Sequence, residues 1–179
     1  MKLKVYRTVD GTTEFWESWN EGTEAFIRSG KVGEISEIRK FTMKDPRQAS
    51  EMIKEVERVQ KAGFAPREME QMIQVVIHYR LERWGSKQDH DRRVKIEDLM
   101  NDCLIPTGLG CCDGGDIGSG TINIFCEVVD AAAAERVIVD KLSGHNELEG
   151  AVIAKRERAG DDQYTVVWPK DYSGKFNLF

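Results

Sequence analysis

The sequence of 179 residues contains no apolar run that approaches the roughly 20 residues needed by a membrane-spanning helix. Its amino terminus, MKLKVYRTVDGTTEFW, has neither the apolar block nor the small-residue cleavage site of a signal peptide. Cysteine is scarce, and two of the four cysteines are adjacent, which does not suit the disulfide framework of a secreted protein. These absences predict a cytoplasmic protein with reduced thiols and no membrane partner.

Several catalytic and metal-binding motifs are missing as well. The sequence has no Ser-His-Asp elbow, no zinc-binding helix motif and no paired C-x-x-C spacing. His78 and Cys126 are interpreted as structural residues, whereas His90 and His145 have surroundings typical of exposed loops. The sequence therefore favours a protein without a metal or a cofactor, and it favours binding over catalysis.

The composition is that of a globular protein, with 40% hydrophobic residues, 32% charged residues and only four prolines. The length suits one large domain or two small ones, and we favour two. Residues 1–84 carry 15 Lys and Arg against 14 Asp and Glu, whereas residues 85–179 carry 11 against 17. Because Lys and Arg bind phosphate backbones, we expect any nucleic-acid role in the first half.

The first sixty or so residues predict four short strands in a meander, followed by a helix. Residues 3–7 have the period of a strand, and Asp10-Gly11 supplies a hairpin turn into the next one. Two more strands are expected over 24–28 and 35–41. Asp45 can cap a helix that begins at Pro46 and ends at Gly63. The apolar face of this helix comprises Ala49, Met52, Ile53, Val56 and Val59.

The rest of the chain predicts a second domain behind a linker. An apolar stripe predicts a helix from Pro66 to Trp84, and the polar stretch from Gly85 to Arg93 predicts a loop. The later elements are a helix over 96–103, a glycine-rich loop over 108–120, a strand over 121–129, a helix over 131–142 and strands over 151–154 and 164–168. Their order resembles that of a ferredoxin-like sandwich. We therefore predict an α+β protein with domains at 1–84 and 96–179 and a linker over 85–95.

Four segments of the first half carry a resemblance to a known family: EFWE at 14–17, RSGKVG at 28–33, KFT at 40–42 and KAGF at 61–64. In this order and spacing, the chain resembles a WGR domain. WGR domains are small sheet modules found beside poly(ADP-ribose) polymerase catalytic domains and in bacterial proteins named as molybdate-metabolism regulators. The resemblance implies an antiparallel sheet with a packed helix over about residues 1–65, and it does not extend to an ADP-ribosyltransferase.

In DNA-binding WGR domains, the tryptophan and the arginine of the motif contact the nucleic acid or support that contact. Here Ser29 stands at the tryptophan position and Lys31 at the arginine position. Lys31 keeps the positive charge but lacks the planar, two-pronged donors of arginine, and Ser29 offers no flat face for stacking. The resemblance therefore implies a DNA contact whose two central residues are changed.

Four basic residues are the candidates for a nucleic-acid contact: Arg28, Lys31, Arg39 and Lys40. On one face of the predicted meander they would hold phosphates. Glu34 and Glu37 interrupt them, so a mixed solvated surface is the alternative. Trp16 and Trp19 leave a similar choice open, between stacking on bases and packing in the core.

The glycine-rich stretch GLGCCDGGDIGSG, residues 108–120, is the second feature of interest. It matches neither a dinucleotide fingerprint nor a Walker loop, because a strand follows it and Gly-Lys-Ser is absent. Asp113 and Asp116 favour tight turns in this loop, with a divalent cation as the alternative.

Three hypotheses for the function follow. The first is a bacterial-type binding or regulatory protein, not an enzyme, whose WGR-like half contacts nucleic acid or another protein. The second is a protein-inhibiting or immunity-type module whose acidic second half binds a basic protein. The third is a small-molecule enzyme that uses the loop over 108–120 with Asp113 and Asp116.

Overall fold

The computed structural model describes residues 2–82, 84–157 and 163–178, and it confirms the α+β class. The described residues contain nine strands, three α-helices and a short 3-10 helix, in two sheets and two compact units. The first unit comprises Met1–Arg67 and Pro106–Gly108, and the second comprises Glu68–Ile105 and Leu109–Phe179. The first unit therefore ends earlier in the chain than the predicted boundary at residue 84.

The sheet of the first unit has four strands: β1 (Lys2–Val9), β2 (Thr12–Glu21), β3 (Glu24–Lys31) and β4 (Ile38–Thr42). They pair antiparallel and in chain order. Asp10 and Gly11 both have positive φ, 50° and 76°, which is the backbone of a two-residue hairpin turn that matches strand twist. The predicted meander is confirmed.

Helix α1 (Pro46–Lys61) packs on one face of this sheet. Asp45 caps its first turn, where the Asp45 carboxylate accepts a hydrogen bond from the Arg47 amide at 2.9 Å. Gly63, with φ of 81°, follows the helix in the left-handed conformation, as predicted. Ile53, predicted to lie on the apolar face, is instead 57% exposed. The core under the helix consists of Val5, Trp16, Ala25, Ile27, Phe41 and Val59, with Met52, Val56 and Phe64 packed against it.

The second unit folds around a five-stranded antiparallel sheet. Its elements are β5 (Ile73–Arg80), α2 (Lys87–Leu104), β6 (Gly110–Gly118), β7 (Thr121–Val128), α3 (Ala131–Gly144), β8 (Ala151–Glu157) and β9 (Thr165–Trp168). The strand order in space is β6-β7-β5-β8-β9, so the first strand in sequence lies at the centre. The predicted elements at β7, α3, β8 and β9 are confirmed, and Asp130 caps α3 by accepting a hydrogen bond from the Ala133 amide.

The central strand β5 corrects the prediction of a helix from Pro66 to Trp84. Only Met69–Gln71 forms a helical turn, of the 3-10 type, before the strand begins. β5 pairs with β7 on one edge and β8 on the other, and both of its faces are covered, since Val75, Val76 and Ile77 are at most 1% exposed. A strand buried on both faces has a continuous apolar run in its sequence. Such a run is also compatible with the apolar face of a helix, so the pattern alone does not distinguish the two.

Helix α2 corrects the predicted loop from Gly85 to Arg93. Ser86 and Asp89 form a reciprocal capping box, in which each side chain accepts a hydrogen bond from the other residue's amide. The first turns of α2 are mostly exposed, which explains why they lack an apolar period. The buried residues lie in the second half of α2: Ile96, Leu99, Met100, Cys103 and Leu104.

The glycine-rich stretch is a strand and not a loop, because Gly110–Gly118 forms β6 along the edge of the sheet. A Cβ atom at Gly110 would lie 1.8 Å from the Glu127 carbonyl oxygen, and one at Gly115 would lie 2.5 Å from that of Asn123. The pairing of β6 with β7 also shifts register after Cys112. These glycines are therefore explained by the close approach of the neighbouring strand.

Candidate nucleic-acid interface

The register of the first sheet divides the four predicted basic residues between its two faces. Arg28 stands opposite Glu17 and Lys40 opposite Phe26, on the face away from α1. Arg39 stands opposite Ile27, which belongs to the core under α1, and its guanidinium pairs with a carboxylate of that helix at 2.7 Å. The structure therefore brings Arg28 and Lys40 together but separates them from Lys31 and Arg39.

The face away from α1 is termed the helix-free face below. Strand pairing assigns residues to it, because directly paired residues of antiparallel strands point to the same side. Its charged and aromatic members are Lys2, Lys4, Tyr6, Phe15, Glu17, Trp19, Glu21, Glu24, Phe26, Arg28 and Lys40. The set contains four cations, four aromatic residues and three anions, and the strand register was needed to identify it.

One end of the helix-free face is covered by the segment Pro106–Gly108, which belongs to the first unit. The Tyr6 hydroxyl donates a hydrogen bond to the Gly108 carbonyl oxygen at 3.1 Å. A Cβ atom at Gly108 would lie 2.2 Å from the Phe15 ring, so only glycine fits there without a shift. Gly108 is thus a structural residue that allows close contact with Phe15. Its position among several other glycines gave no sign of this contact in the sequence.

The other end carries a stacked aromatic pair. The ring centroids of Trp19 and Phe26 are 5.3 Å apart and their planes differ by 13°. The Trp19 indole donates a hydrogen bond to Glu21 at 2.9 Å. Both rings are partly exposed, whereas Trp16 is buried in the core. Trp16 therefore packs in the core. Trp19 lies on the surface, where its ring stacks on Phe26 and stays partly exposed to solvent.

Cations surround this aromatic pair. The Arg28 guanidinium lies 5.2 Å from the Trp19 ring centroid, and the Lys40 ammonium lies 6.0 Å from that of Phe26. Lys40 and Lys2 are the two cations with mostly exposed side chains, 59% and 62%, and each lies in an ion pair with a glutamate, Lys40 with Glu24 at 3.9 Å. Arg28 is buried, which suits it to holding the indole in place rather than to reaching a ligand.

Glu17 is the buried anion of the helix-free face, with 1% exposure. Lys2 Nζ lies 3.0 Å from one of its oxygens, and Arg28 Nη1 lies 3.8 Å from the other. A buried charge is stable only when opposite charges compensate it. Glu17 therefore fixes Arg28 beneath Trp19 and lowers the net positive charge of the face.

The two positions implied by the WGR resemblance lie elsewhere. Ser29 and Lys31 line a cavity of about 320 Å³ on the α1 side of the sheet, together with Arg7 and Arg58. Arg7 is paired with Glu14 at 2.5 Å, and Arg58 is paired with a carboxylate of its own helix. This second group of cations gives an alternative contact surface that an experiment can separate from the helix-free face.

Asp113 and Asp116 are both exposed, on a strand rather than in a loop. Asp116 accepts a hydrogen bond from Asn123 at 2.8 Å, and Asn123 Oδ1 lies 2.7 Å from Nδ1 of His78. Burial lowers the pKa of His78, and the nearby Arg80 acts in the same direction, which keeps the imidazole neutral at neutral pH. His78 is thus a structural residue, as predicted, although on a strand.

The cysteines show one close pair. Cys126 is fully buried, as predicted, and stands opposite Cys112 across strands β6 and β7. A hydrogen bond with Cys126 lowers the pKa of the Cys112 thiol and raises that of Cys126. In the described part of the chain, no group of three or more His, Cys, Asp or Glu side chains is placed to hold a metal ion.

None of the helices in the described ranges is long and apolar enough to cross a membrane. Comparison with protein-family models finds no model that matches the chain. Comparisons with curated proteins and with solved structures find no match either. The function is therefore inferred from the side chains and their geometry.

Proposed function

We propose that the protein is a non-enzymatic binding protein whose first unit contacts single-stranded nucleic acid through the helix-free face. The observation that carries this proposal is the partly exposed Trp19–Phe26 pair, with the exposed cations of Lys2 and Lys40 beside it. Proteins that bind single strands combine aromatic platforms for bases with cations along the backbone. Bases in a duplex are already stacked and offer no free ring to such a platform.

The fold proposed for the first unit is WGR-like. The antiparallel four-strand meander followed by a packed helix supports it, and the motif segments begin on β2, β3, β4 and the last residue of α1. The fold proposed for the second unit is ferredoxin-like. Its support is the sequence order β5-α2-β6-β7-α3-β8 combined with the spatial order β6-β7-β5-β8.

The test is fluorescence anisotropy of a labelled single-stranded oligonucleotide and of the matching duplex, titrated with the full-length protein at low salt. We expect saturable binding that favours the single strand. Trp19→Ala should weaken it by about tenfold or more, since stacking contributes roughly 1–3 kcal/mol per base. Trp19→Phe should restore most of the affinity, because a ring is kept.

Lys40 and Arg39 provide a matched control. They are neighbours on β4, each pairs with a glutamate, and they lie on opposite faces of the sheet. Lys40→Ala should weaken binding severalfold, and Arg39→Ala should leave it unchanged. Equal effects of the two changes, or no binding at low salt, would overturn the proposal. Duplex binding that depends on Lys31 would instead favour the cavity at the WGR positions.

The acidic second unit supports a second candidate function, the binding of a basic protein. This unit carries 20 Asp and Glu against 13 Lys and Arg, whereas the first carries 11 against 13. Complementary charge of this size steers protein association. Capture of a basic protein by the full-length chain, lost at high salt, tests it, and capture of nucleic acid alone contradicts it.

A further inference from the structure

The face of the second sheet opposite α2 carries buried polar side chains on its two central strands. Arg92 of α2 lies over the Tyr79 ring, so the other face of β5 is the one with Gln74 and His78. These two residues stand opposite Glu127 and Asn123 of β7, and all four are at most 7% exposed. Buried polar groups of this kind are stable when hydrogen bonds join them. The four side chains form two hydrogen-bonded pairs, Gln74 with Glu127 and His78 with Asn123, which are together termed the polar row.

The C-terminal segment, residues 169–178, lies beside and over the polar row. The Phe176 ring meets His78 edge-on, with ring centroids 5.3 Å apart, and meets Tyr164 at 5.8 Å. The Leu178 carbonyl oxygen accepts a hydrogen bond from the Thr121 hydroxyl at 3.4 Å. Between this segment, β8 and β9 lies an open cavity of about 850 Å³.

Gln74 connects the polar row to this cavity. The Gln74 amide nitrogen donates a hydrogen bond to Glu127 at 2.9 Å. The amide oxygen of the same side chain accepts hydrogen bonds from residues of the cavity wall. The donors there are Arg156 Nε, at 3.0 Å, and the Tyr164 hydroxyl, at 2.5 Å. Both residues line the cavity. Gln74 therefore orients a cation and a ring at the cavity wall.

The charge of the cavity is unusual for this acidic unit. Several other cations of the unit lie in ion pairs with carboxylates: Arg92, Arg93, Lys95, Lys141 and Lys170. Arg156 and Lys175 both line the cavity, and neither is ion-paired to a carboxylate within the described residues. Two cations that face one open volume without such a partner favour an anionic ligand.

We propose that this cavity binds a small organic anion that carries a flat ring. Its carboxylate or phosphate group would be held by Arg156 and Lys175, and its ring would lie against Tyr164 and Phe176. The guanidinium fork suits both kinds of anion, and the volume falls in the usual range for small-ligand sites. The site lies within the second unit and does not depend on the proposed nucleic-acid contact.

Isothermal titration calorimetry of the full-length protein tests the proposal with three related probes: 2-naphthoate, 2-naphthyl phosphate and the neutral 2-naphthamide. We expect one saturable site for at least one of the two anions. The amide should bind about tenfold more weakly or worse, because it cannot form charge-assisted hydrogen bonds. The anion that binds more tightly identifies the group that the site accepts.

Variants locate the site. Arg156→Gln and Lys175→Gln should each weaken binding of the preferred anion, by about tenfold for the arginine. Lys170→Gln is the matched control, because Lys170 lies in the same segment, pairs with Glu135 and is not among the residues that line the cavity. The proposal is overturned if neither anion binds, if the amide binds equally well, or if both cavity variants, with native far-UV circular dichroism, bind like the wild type. Lys175 is exposed, so Lys175→Gln should fold normally and still tests the site if Arg156→Gln misfolds.

Discussion

The four cysteines occupy environments that give their thiols different reactivity. Cys111 is exposed and Cys112 is half-buried, whereas Cys103 and Cys126 are buried. Burial raises the pKa of Cys103 to about 12, and the pKa of Cys126 lies well above its usual value because of its hydrogen bond with Cys112 and its burial. The same thiol pair lowers the pKa of Cys112. Only the thiolate is nucleophilic, so these differences predict selective alkylation.

A short pulse of iodoacetamide on the native protein, followed by peptide mass spectrometry, checks this. We expect Cys111 and Cys112 to be modified roughly tenfold faster or more than Cys103 and Cys126. Protein unfolded in guanidinium chloride is the control, and there all four cysteines should react at similar rates. Rapid native labelling of Cys126 would contradict its placement in the core.

Glu147 predicts a pH-dependent contribution to stability. Its carboxylate accepts hydrogen bonds from Lys95 at 2.7 Å and from Arg92 at 2.8 Å, both on α2. Burial alone would raise the pKa of Glu147, but these two bonds outweigh it and hold the pKa below its usual value. A depressed folded-state pKa stabilises the fold above the unfolded value of about 4.3, and the effect is lost as the pH falls through the folded value.

Glu147→Gln should therefore lower the free energy of unfolding at neutral pH by about 1 kcal/mol. The difference from the wild type should shrink as the pH falls below about 4, because the wild-type carboxylate then becomes protonated. Urea unfolding of both proteins at neutral pH and at a pH below about 4 measures this difference in the free energy of unfolding. Glu149→Gln is the control, because Glu149 is exposed and only two residues away. A difference that persists at low pH would mean that packing, not charge, is responsible.

The edge strand β6 depends on glycine at some positions and not at others. A side chain at Gly110 would collide with the backbone of β7, at 1.8 Å from the Glu127 carbonyl oxygen. A side chain at Gly118, at the other end of the same strand, would meet nothing within 4 Å. Gly110→Ala should thus cost roughly 2–4 kcal/mol by separating the two strands, while Gly118→Ala should be close to neutral.

Thermal unfolding of the two variants, followed by circular dichroism, distinguishes them. The expected result is a melting temperature lowered by several degrees or more for Gly110→Ala and within about two degrees of the wild type for Gly118→Ala. Similar melting temperatures for both variants would show that β6 does not approach β7 as closely as the pairing indicates.

The sequence predicted some elements correctly and others not. The correct ones are those whose signals come from residues that are neighbours in the sequence. The hairpin turn at Asp10-Gly11, the cap at Asp45 and the end at Gly63 are set by neighbouring residues, so they were predictable. The central strand β5 was not, because its continuous apolar run arises from neighbours on both edges and cover on both faces. The first turns of α2 showed only a capping box, Ser86 with Asp89, without an apolar period.

The candidate interface was predictable in its residue types but not in its arrangement. The sequence pointed to Arg28 and Lys40 as basic candidates and to Trp19 as a base-stacking candidate. It also grouped them with Lys31 and Arg39, because strand register is needed to tell the two faces of a sheet apart. The pairing of Trp19 with Phe26 likewise joins two strands and has no signal within either strand alone.

Over the whole molecule, the net charge of -5 opposes the approach of a polyanion, so nucleic-acid binding should depend on a few local cations. On the helix-free face, Lys2 and Lys40 are the exposed cations beside the aromatic pair, and each exchanges an ion pair with a glutamate for a contact with a phosphate. Each phosphate contact with a single strand contributes about 0.7 to the slope of log affinity against log salt concentration. With two such contacts, the expected slope is about -1.4, which is shallow for a nucleic-acid-binding protein.

Anisotropy titrations of the single-stranded oligonucleotide over a salt series measure this slope. Lys40→Ala should reduce its magnitude by about 0.7, because one released counterion is lost, and it should do so for oligonucleotides of any sequence. Lys170→Ala removes the same charge from the second unit, at a residue that does not line the proposed anion cavity, and leaves the overall net charge equal to that of Lys40→Ala, so its slope should match the wild type. If both variants change the slope equally, binding follows the net charge of the chain, and the helix-free face is not the contact surface.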